Sequence, residues 1–378
     1  MLRTYTIELT TKSPVFIGDS KVLTKKDCLY VPADKKVYIL DGRKVYLGVC
    51  KMGAEDKYME FLTDFKQRDF TVFLKNASIP LATAKTWASY SLTLSNLASI
   101  NNSRKDGGGA DDIQTFVKDP YGKPYIPASS LKGAIRTALQ NAELIKARGS
   151  QFNKSMETKI STADFRNKKS YLAREEKEVN IEKNYTLGVN QKVKSAIQND
   201  IYSGLRIGDS DSVETDALCL CQKVDFKPDG KGAGLPIKRE CLKPETKITF
   251  AMEIDDEVFP YSVEEILDAI YDVFGDYEEF LNRFDVESEF SECDNPIVIG
   301  GGTGFLSKTS VMALHKDRFA GTKAIQKILI NTTTMGKNKD PHKHFMDTTK
   351  YKVSPHTRKC TQYNGKIYDM GICDIHIK

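Results

Sequence analysis

Apolar and polar residues alternate along residues 4–11, TYTIELTT, and this period of two predicts a strand with one buried face. Ser262 and Glu265 have the spacing of a capping box, which predicts the start of a helix that runs to about residue 284. Further helices are predicted at about 55–68 and 306–330. Further strands are predicted at 28–31, 37–40, 204–210, 217–226, 246–254, 296–299 and 368–377.

The stretch 125–139, YIPASSLKGAIRTAL, predicts a strand end followed by a helix, because Pro127 cannot donate to a strand ladder. Ser129 or Ser130 is the expected N-cap. The positions of Lys132 and Arg136 place them on one helix face, with Gly133 between them. Free helix amides, hydroxyls and cations together favour an anion, most simply a phosphate. The alternative is a capped surface helix with two solvated cations.

A glycine run after the predicted strand 296–299 is the second candidate anion site, since consecutive small residues let backbone amides surround an anion. It is not a Walker A loop, because Ser307 stands where GxxxxGK[ST] needs glycine before Lys308. Phe305 also breaks the dinucleotide pattern GxGxxG. Contact with a nucleic-acid backbone is one interpretation and a structural tight turn is the other. The residues of this site are Gly300, Gly301, Gly302, Thr303, Gly304 and Lys308.

Charge is distributed unevenly along the 378 residues, although the net charge is only +5. Residues 255–294 carry fifteen acidic residues and one basic residue, whereas residues 302–378 carry fourteen basic and five acidic residues. Residues 141–199 carry twelve basic and seven acidic residues. Such basic segments could hold a nucleic-acid backbone, and ordinary solvated faces are the alternative.

Little in the sequence points to catalysis. All five histidines lie at or beyond His315, so no histidine near the N-terminal strand is available as a general acid or base. The spacing of His342 and His344 fits neither a zinc finger nor a zincin, and the DSDS stretch that contains Asp209 and Asp211 reads as turn chemistry. We therefore expect no metal, cofactor or catalytic residue.

The eight cysteines form no CxxC pair, and the chain shows neither a signal peptide nor an apolar run long enough for a membrane span. A reduced, cytoplasmic protein without a membrane partner is expected. The basic residues Arg206, Arg358 and Lys359 are further candidate contacts for RNA, with solvated surface cations as the alternative.

The predicted elements of the second half suit an α+β fold with antiparallel sheets and helices on one face. The first half is compatible with a second copy. We predict an N-terminal domain over 1–147, a basic helical insertion over 148–203 and a C-terminal domain over 204–378.

Taken in order, the stretches SPVFIG, YIPASSLKGAIRTAL, LRIGDSDS, IGGGTGFLSK, SPHTRK and MGICDI resemble the RAMP-superfamily proteins of type III CRISPR systems. Within that superfamily they are most similar to the fifth-subunit family of the type III-A Csm effector complex. The resemblance spans about residues 5–375. It implies two ferredoxin-like (RRM-like) domains.

The resemblance also implies that the protein binds the CRISPR RNA (crRNA) near its 3′ end, caps the filament of repeated backbone subunits and supports crRNA maturation without cutting. Target RNA and host nucleases that trim crRNA are further candidate partners. Ala128 departs from the family, which often has glycine there. The matching residues are Ser129, Ser130, Lys132, Gly133 and Arg136, with the glycine run and Lys308. Ser13 and Gly18, at the ends of the SPVFIG stretch, are further candidate contacts for RNA.

Two other functions stay open. One is a RAMP endoribonuclease that cuts crRNA precursor or target RNA, although no residue stands out as its catalyst. The other is a protein-only adaptor that acts through the acidic helix at 262–284.

Overall fold

The computed structural model describes residues 1–94, 112–165, 172–332, 340 and 342–378. In that part of the chain, helices and mostly antiparallel sheets form an α+β fold, which confirms the predicted fold class. The strands are β1 (Leu2–Thr11), β2 (Gly18–Leu23), β3 (Cys28–Val31), β4 (Lys36–Leu40), β5 (Ala88–Leu94), β6 (Ile113–Phe116), β7 (Leu205–Ile207), β8 (Leu218–Phe226), β9 (Gly232–Leu242), β10 (Lys247–Asp255), β11 (Pro296–Val298), β12 (Arg358–Tyr363), β13 (Lys366–Asp369) and β14 (Ile372–Ile377). The α-helices are α1 (Gly42–Lys51), α2 (Glu55–Thr63), α3 (Phe70–Asn76), α4 (Leu81–Lys85), α5 (Ala128–Lys146), α6 (Gln151–Thr162), α7 (Ala173–Asn184), α8 (Val263–Leu281), α9 (Val311–Leu314) and α10 (Arg318–Thr332).

The first sheet has the order β11-β14-β1-β10-β7, and all of its pairs are antiparallel. Along the chain, β1, α5, β7, β10, α8 and β14 follow the β-α-β-β-α-β order of ferredoxin-like folds. Ile7 and Leu9 of β1 are fully buried in one core with Leu131 of α5 and Ile266 of α8. The prediction that β1 is a strand with one buried face is thus confirmed, since its apolar face packs in this core with α5 and α8.

The second sheet has the order β2-β6-β9-β8-β5-β4-β3. It forks at β8, where residues 219–220 pair with β5 and residues 222–226 pair with β12. The short helices α1 to α3 bury an aromatic cluster against β3, with Phe61, Phe70 and Phe73 at its centre. The fork places β12, and the cations that it carries, next to β8, on the edge of β8 opposite β9.

The predicted insertion contains α6 and α7, which pack with α9 and α10 around a separate apolar core. Glu176 of α7 accepts hydrogen bonds from both the backbone amide and the hydroxyl of Ser310, at 2.9 and 3.1 Å. Asn184 donates to Gln140 of α5, which donates to Ser310. These bonds fasten the insertion to α5 and to the segment before α9.

Both sheets draw strands from either side of the predicted boundary at 147, because β1 pairs with β10 and β14 while β6 pairs with β9. The predicted domain limits at 147 and 203 remain a prediction, namely that the segments on either side of each limit fold independently. The capping box of Ser262 and Glu265 is confirmed. Helices α1 and α3 and strand β9 were not predicted, and the single helix expected at 306–330 is two helices, α9 and α10. Across the described ranges, no helix is long and apolar enough to cross a membrane.

Candidate nucleic-acid interface

An open groove joins three segments that are far apart in sequence. The turn after β1, the first turns of α5 and the glycine run after β11 enclose a volume of about 320 Å³. The predicted site residues that line the groove are Gly18, Ser130, Gly133, Gly300, Gly301 and Lys308. The structure therefore brings the two candidate anion sites together into one surface.

Close backbone contact requires glycine in this loop. Gly300 has a φ of +83°, and a Cβ at this position would lie 2.3 Å from the carbonyl oxygen of Phe16. The amide of Gly301 donates to that same oxygen at 2.6 Å. Gly302 has a φ of +84°, and its Cβ would lie 2.4 Å from a guanidinium nitrogen of Arg239. The tight turn and the candidate binding surface are thus the same structure, and the turn alone accounts for these glycines.

The predicted serine N-cap of α5 is wrong. The helix begins at Ala128, and no side chain of the flanking residue Pro127 caps it. Instead, the carboxylate of Asp209 accepts a hydrogen bond from the Ala128 amide at 2.8 Å. This carboxylate already meets the positive end of the helix, which leaves Ser129 exposed and Ser130 in the groove wall.

Lys132 and Arg136 point away from the groove, which corrects their assignment to one phosphate site with Gly133. The Lys132 ammonium donates to the carbonyl oxygens of Tyr202 and Leu205, at 2.8 and 2.6 Å. Burial lowers the pKa of Lys132. Arg136 forms an ion pair with Asp200 at 2.8 Å. Both cations bind the protein's own 200–205 segment and hold it against α5.

A cluster of cations lies on the other side of the glycine loop. Arg239 of β9 stacks over the Phe16 ring at 5.0 Å, and one of its guanidinium nitrogens is buried without a hydrogen-bond partner. Lys359 and Lys223 share the carboxylate of Asp225, at 2.8 and 3.6 Å. A Cβ added at Gly304 would lie 3.5 Å from the Cγ of Lys359, so the cluster of cations borders the glycine loop.

Lys308 is the cation at the rim of the groove. Its side chain is partly exposed, and the described residues provide no ion pair for its ammonium. Partial desolvation of that ammonium, with a smaller contribution from Arg239, lowers the pKa of Lys308. Burial and then Lys359 lower the pKa of Lys223. In both cases desolvation is the larger cause and a neighbouring cation adds to it, so a bound anion would favour the charged form of each ammonium.

The sequence interpretation missed Arg239 and Lys223. Each lies on a strand among cysteines and other apolar residues, in CLCQKVDF and LPIKRECL. A cation within an otherwise apolar strand is the sequence signal that could have identified both residues. Strand register decides where these cations lie, because the pairing of Cys221 of β8 with Arg239 of β9 brings Arg239 beside the glycine loop.

Three other predicted contacts are buried, and their placement argues against direct binding of RNA. The Ser13 hydroxyl accepts a hydrogen bond from the amide of Ile372 at 2.8 Å. Arg358 is 1% exposed and forms a buried ion pair with Asp369 at 2.6 Å. Thr303 is buried and bonded to Ser307.

Arg206 is exposed on β7, beside Glu253 at 3.7 Å. It does not line the groove.

The groove can bind an anion through the Ser130 hydroxyl and the Lys308 ammonium. Its lining residues include no histidine, cysteine or carboxylate. It therefore offers no side chain suited to general acid–base or nucleophilic catalysis apart from Lys308 and the hydroxyl groups.

The sequence profile of the RAMP superfamily matches residues 8–307. This chain belongs to the RAMP superfamily. Two Csm5 proteins, each described as "CRISPR system Cms protein Csm5", are similar to it. The one from Mycobacterium tuberculosis H37Rv is 27% identical over 409 residues, which cover 100% of this chain and 98% of the relative. The one from Streptococcus thermophilus is 28% identical over 313 residues, covering 81% of this chain and 80% of the relative.

Two solved structures share the fold. A chain in the cryo-EM structure of a Csm–crRNA–target RNA ternary complex of a type III-A CRISPR-Cas system matches with a TM-score of 0.63 at 16% identity, covering 98% of this RAMP chain and 100% of its own length. The crystal structure of T. onnurineus Csm5 matches with a TM-score of 0.62 at 18% identity, covering 97% and 99%.

Proposed function

We propose that this RAMP protein is the Csm5-type subunit of a type III-A Csm complex, where it binds crRNA near the 3′ end and caps the backbone filament in the cytoplasm. In this role it supports crRNA maturation by protecting and positioning the 3′ region, while a separate nuclease trims it. Full-length similarity to Csm5 proteins and the fold shared with a chain of a Csm–crRNA–target RNA complex support the proposal. Other Csm subunits, target RNA and host nucleases are the partners that follow from it.

The observation that carries the RNA-binding part is the groove itself. It combines backbone at Gly300 and Gly301 with the unpaired ammonium of Lys308, and the cations Arg239 and Lys359 lie behind the loop. Small residues on the facing helix, Gly133 and Ala134, leave room for a chain of phosphates and sugars to approach. Contacts of this kind hold a nucleic-acid backbone without reading its sequence.

The test replaces Lys308 by alanine and by glutamate in the full-length protein. We expect weaker binding of a labelled crRNA, and the slope of log Kd against log salt should fall by about 0.7 for the alanine variant, as one phosphate contact to a single strand is lost. Lys51 is the matched control, because it is an exposed cation at the end of α1, away from the groove. Lys51→Ala should leave both the affinity and the slope unchanged.

The same samples separate the alternative functions. Denaturing gels of each binding reaction, with and without Mg²⁺, should show intact RNA. Shortened RNA in the purest fractions would support the endoribonuclease instead. If Lys308→Glu changes neither RNA binding nor the length of crRNA in the assembled complex, the protein-only adaptor becomes the better explanation.

A further inference from the structure

Two histidines and one aspartate meet in a buried cluster just before β12. His344, Asp347 and His356 are 6%, 0% and 4% exposed. One ligand atom from each lies within 4.8 Å of the others. The His344 Nδ1 lies 3.2 Å from one oxygen of Asp347, and the His356 Nδ1 lies 2.5 Å from the other.

Among the described residues, two imidazoles alone form ion pairs with the buried carboxylate of this cluster. That carboxylate belongs to Asp347, which is fully buried. The hydroxyl of Ser354 adds a neutral hydrogen bond at 2.5 Å. A buried carboxylate is costly unless a cation accompanies it, and a divalent metal ion held by the two imidazoles would supply that charge.

The two rings are held in place by contacts that do not involve Asp347. The Tyr351 ring stacks on the His356 ring with centroids 5.2 Å apart and planes 13° apart. The His344 and His356 rings form an edge-to-face pair at 5.1 Å.

The backbone beside His344 is fixed as well. Gln326 of α10 donates to the carbonyl oxygen of His344 at 2.8 Å, and Asp340 accepts hydrogen bonds from the amides of His344 and Phe345. Such supporting contacts are what orients the ligands of a metal site.

We propose that His344, Asp347 and His356 bind one divalent transition-metal ion, with zinc favoured, as a structural site. Imidazole nitrogen and carboxylate oxygen are both ordinary zinc ligands. Metal–ligand bonds of about 2.1 Å at a tetrahedral centre place neighbouring ligand atoms about 3.4 Å apart. The His344–Asp347 distance already fits this value, and the His356–Asp347 contact must open by about 1 Å. The Ser354 hydroxyl or a water molecule would complete the shell.

The burial of all three ligands favours a structural role, since substrate has no route to a closed site. The ion would fasten the 344–356 segment, and β12 starts two residues later with Arg358 and Lys359. Metal binding would therefore fix the strand that brings Lys359 to the glycine loop. This inference revises the expectation of no metal and does not depend on RNA binding.

The first experiment measures metal in the wild-type, full-length protein by mass spectrometry, both as purified and after chelation and reloading with Zn²⁺ or Co²⁺. We expect about one equivalent, an intense visible Co²⁺ spectrum typical of a four-coordinate site, and a melting temperature that falls with chelation and recovers with Zn²⁺. Because these measurements use the wild type, they do not depend on whether a variant folds. A wild-type protein that takes up neither ion and shows no thermal response would overturn the proposal and leave a hydrogen-bonded cluster with a charged imidazole.

The second experiment assigns the site. Asp347→Asn and His356→Ala should each lower bound zinc at least tenfold, while His342→Ala, at an exposed neighbouring ring, should keep it. His376→Ala is the second control, because Asp294, Asp374 and His376 form another group of possible ligands at the edge of the first sheet. Zinc that is lost in the His376 variant and kept in the Asp347 and His356 variants would place the ion elsewhere and refute the assignment.

Discussion

Replacing Arg136 by alanine should cost the protein stability and leave RNA binding intact. The sequence pattern predicts that Arg136 belongs to a phosphate site. The structure indicates instead that Arg136 holds the 200–205 segment against α5. Its guanidinium lies 2.8 Å from Asp200 and 4.8 Å from the centre of the Tyr202 ring. The two interpretations predict opposite results for one substitution.

The magnitude follows from these two contacts. The side chain of Asp200 is 10% exposed, and the substitution removes Arg136, its ion-pair partner among the described residues, which is itself 26% exposed. Breaking a fully buried pair costs about 3–5 kcal/mol, and the partial exposure of Arg136 reduces this to about 2 kcal/mol. The lost cation–π contact adds about 1 kcal/mol. A loss of about 3 kcal/mol lowers the melting temperature of a chain of 378 residues by about 4 °C.

The assay combines thermal melting with hydrogen exchange and a salt-dependent RNA titration. Exchange should accelerate in residues 197–205, while the affinity for crRNA and its salt slope stay those of the wild type. Arg136→Lys keeps the charge and loses the forked geometry, so it should recover only part of the stability. Wild-type stability together with weaker RNA binding in Arg136→Ala would refute the reasoning and restore the helix cations to the RNA site.

Substitutions at four further positions test the local physics. Gly133→Ala should stabilise the protein by about 0.5–1 kcal/mol, because the added Cβ meets nothing within 4 Å. Gly300→Ala should destabilise it by at least about 2 kcal/mol, because Gly300 has a positive φ and an added Cβ would collide with Phe16. Urea unfolding measures both changes in free energy, and equal effects would contradict the geometry. Asp209→Ala should cost about 1 kcal/mol as α5 loses its N-terminal hydrogen bond, and Asp209→Asn should recover most of it in the same assay. Burial, with a contribution from a nearby carboxylate, raises the pKa of Glu289 from 4.5 to about 7, so the wild type should lose stability as the pH rises from about 4.5 through about 7. Glu289→Gln should remove that slope and be more stable at pH 8 by about 3 kcal/mol, and an unchanged pH profile would show that Glu289 is not the group responsible.

Local patterns in the sequence determined much of the fold. The alternation in β1, the capping box at Ser262 and the strand before the glycine run all appear where the periodicity places them. Each depends on neighbouring residues, so each is readable from a short window of sequence. The ordered motifs were also sufficient to indicate the RAMP superfamily.

Contacts between distant segments decided the rest. Periodicity shows that Lys132 and Arg136 share a face, but only packing shows that this face meets the 200–205 segment rather than solvent. The cap of α5 comes from Asp209, which lies 81 residues along the chain from Ala128. Arg358 reads as a surface cation in the sequence and lies in the core, because Asp369 and backbone carbonyls neutralise it there.

The candidate groove shows the same division. Sequence patterns predicted an anion site at the glycine run and another at the start of α5. These patterns could not show that the two sites form one surface, nor that Arg239 lies behind the loop, because strand register and the packing of β9 decide both. A charged residue acquires its role from the groups that the tertiary structure places around it, and those groups are set by the whole chain rather than by its neighbours in sequence.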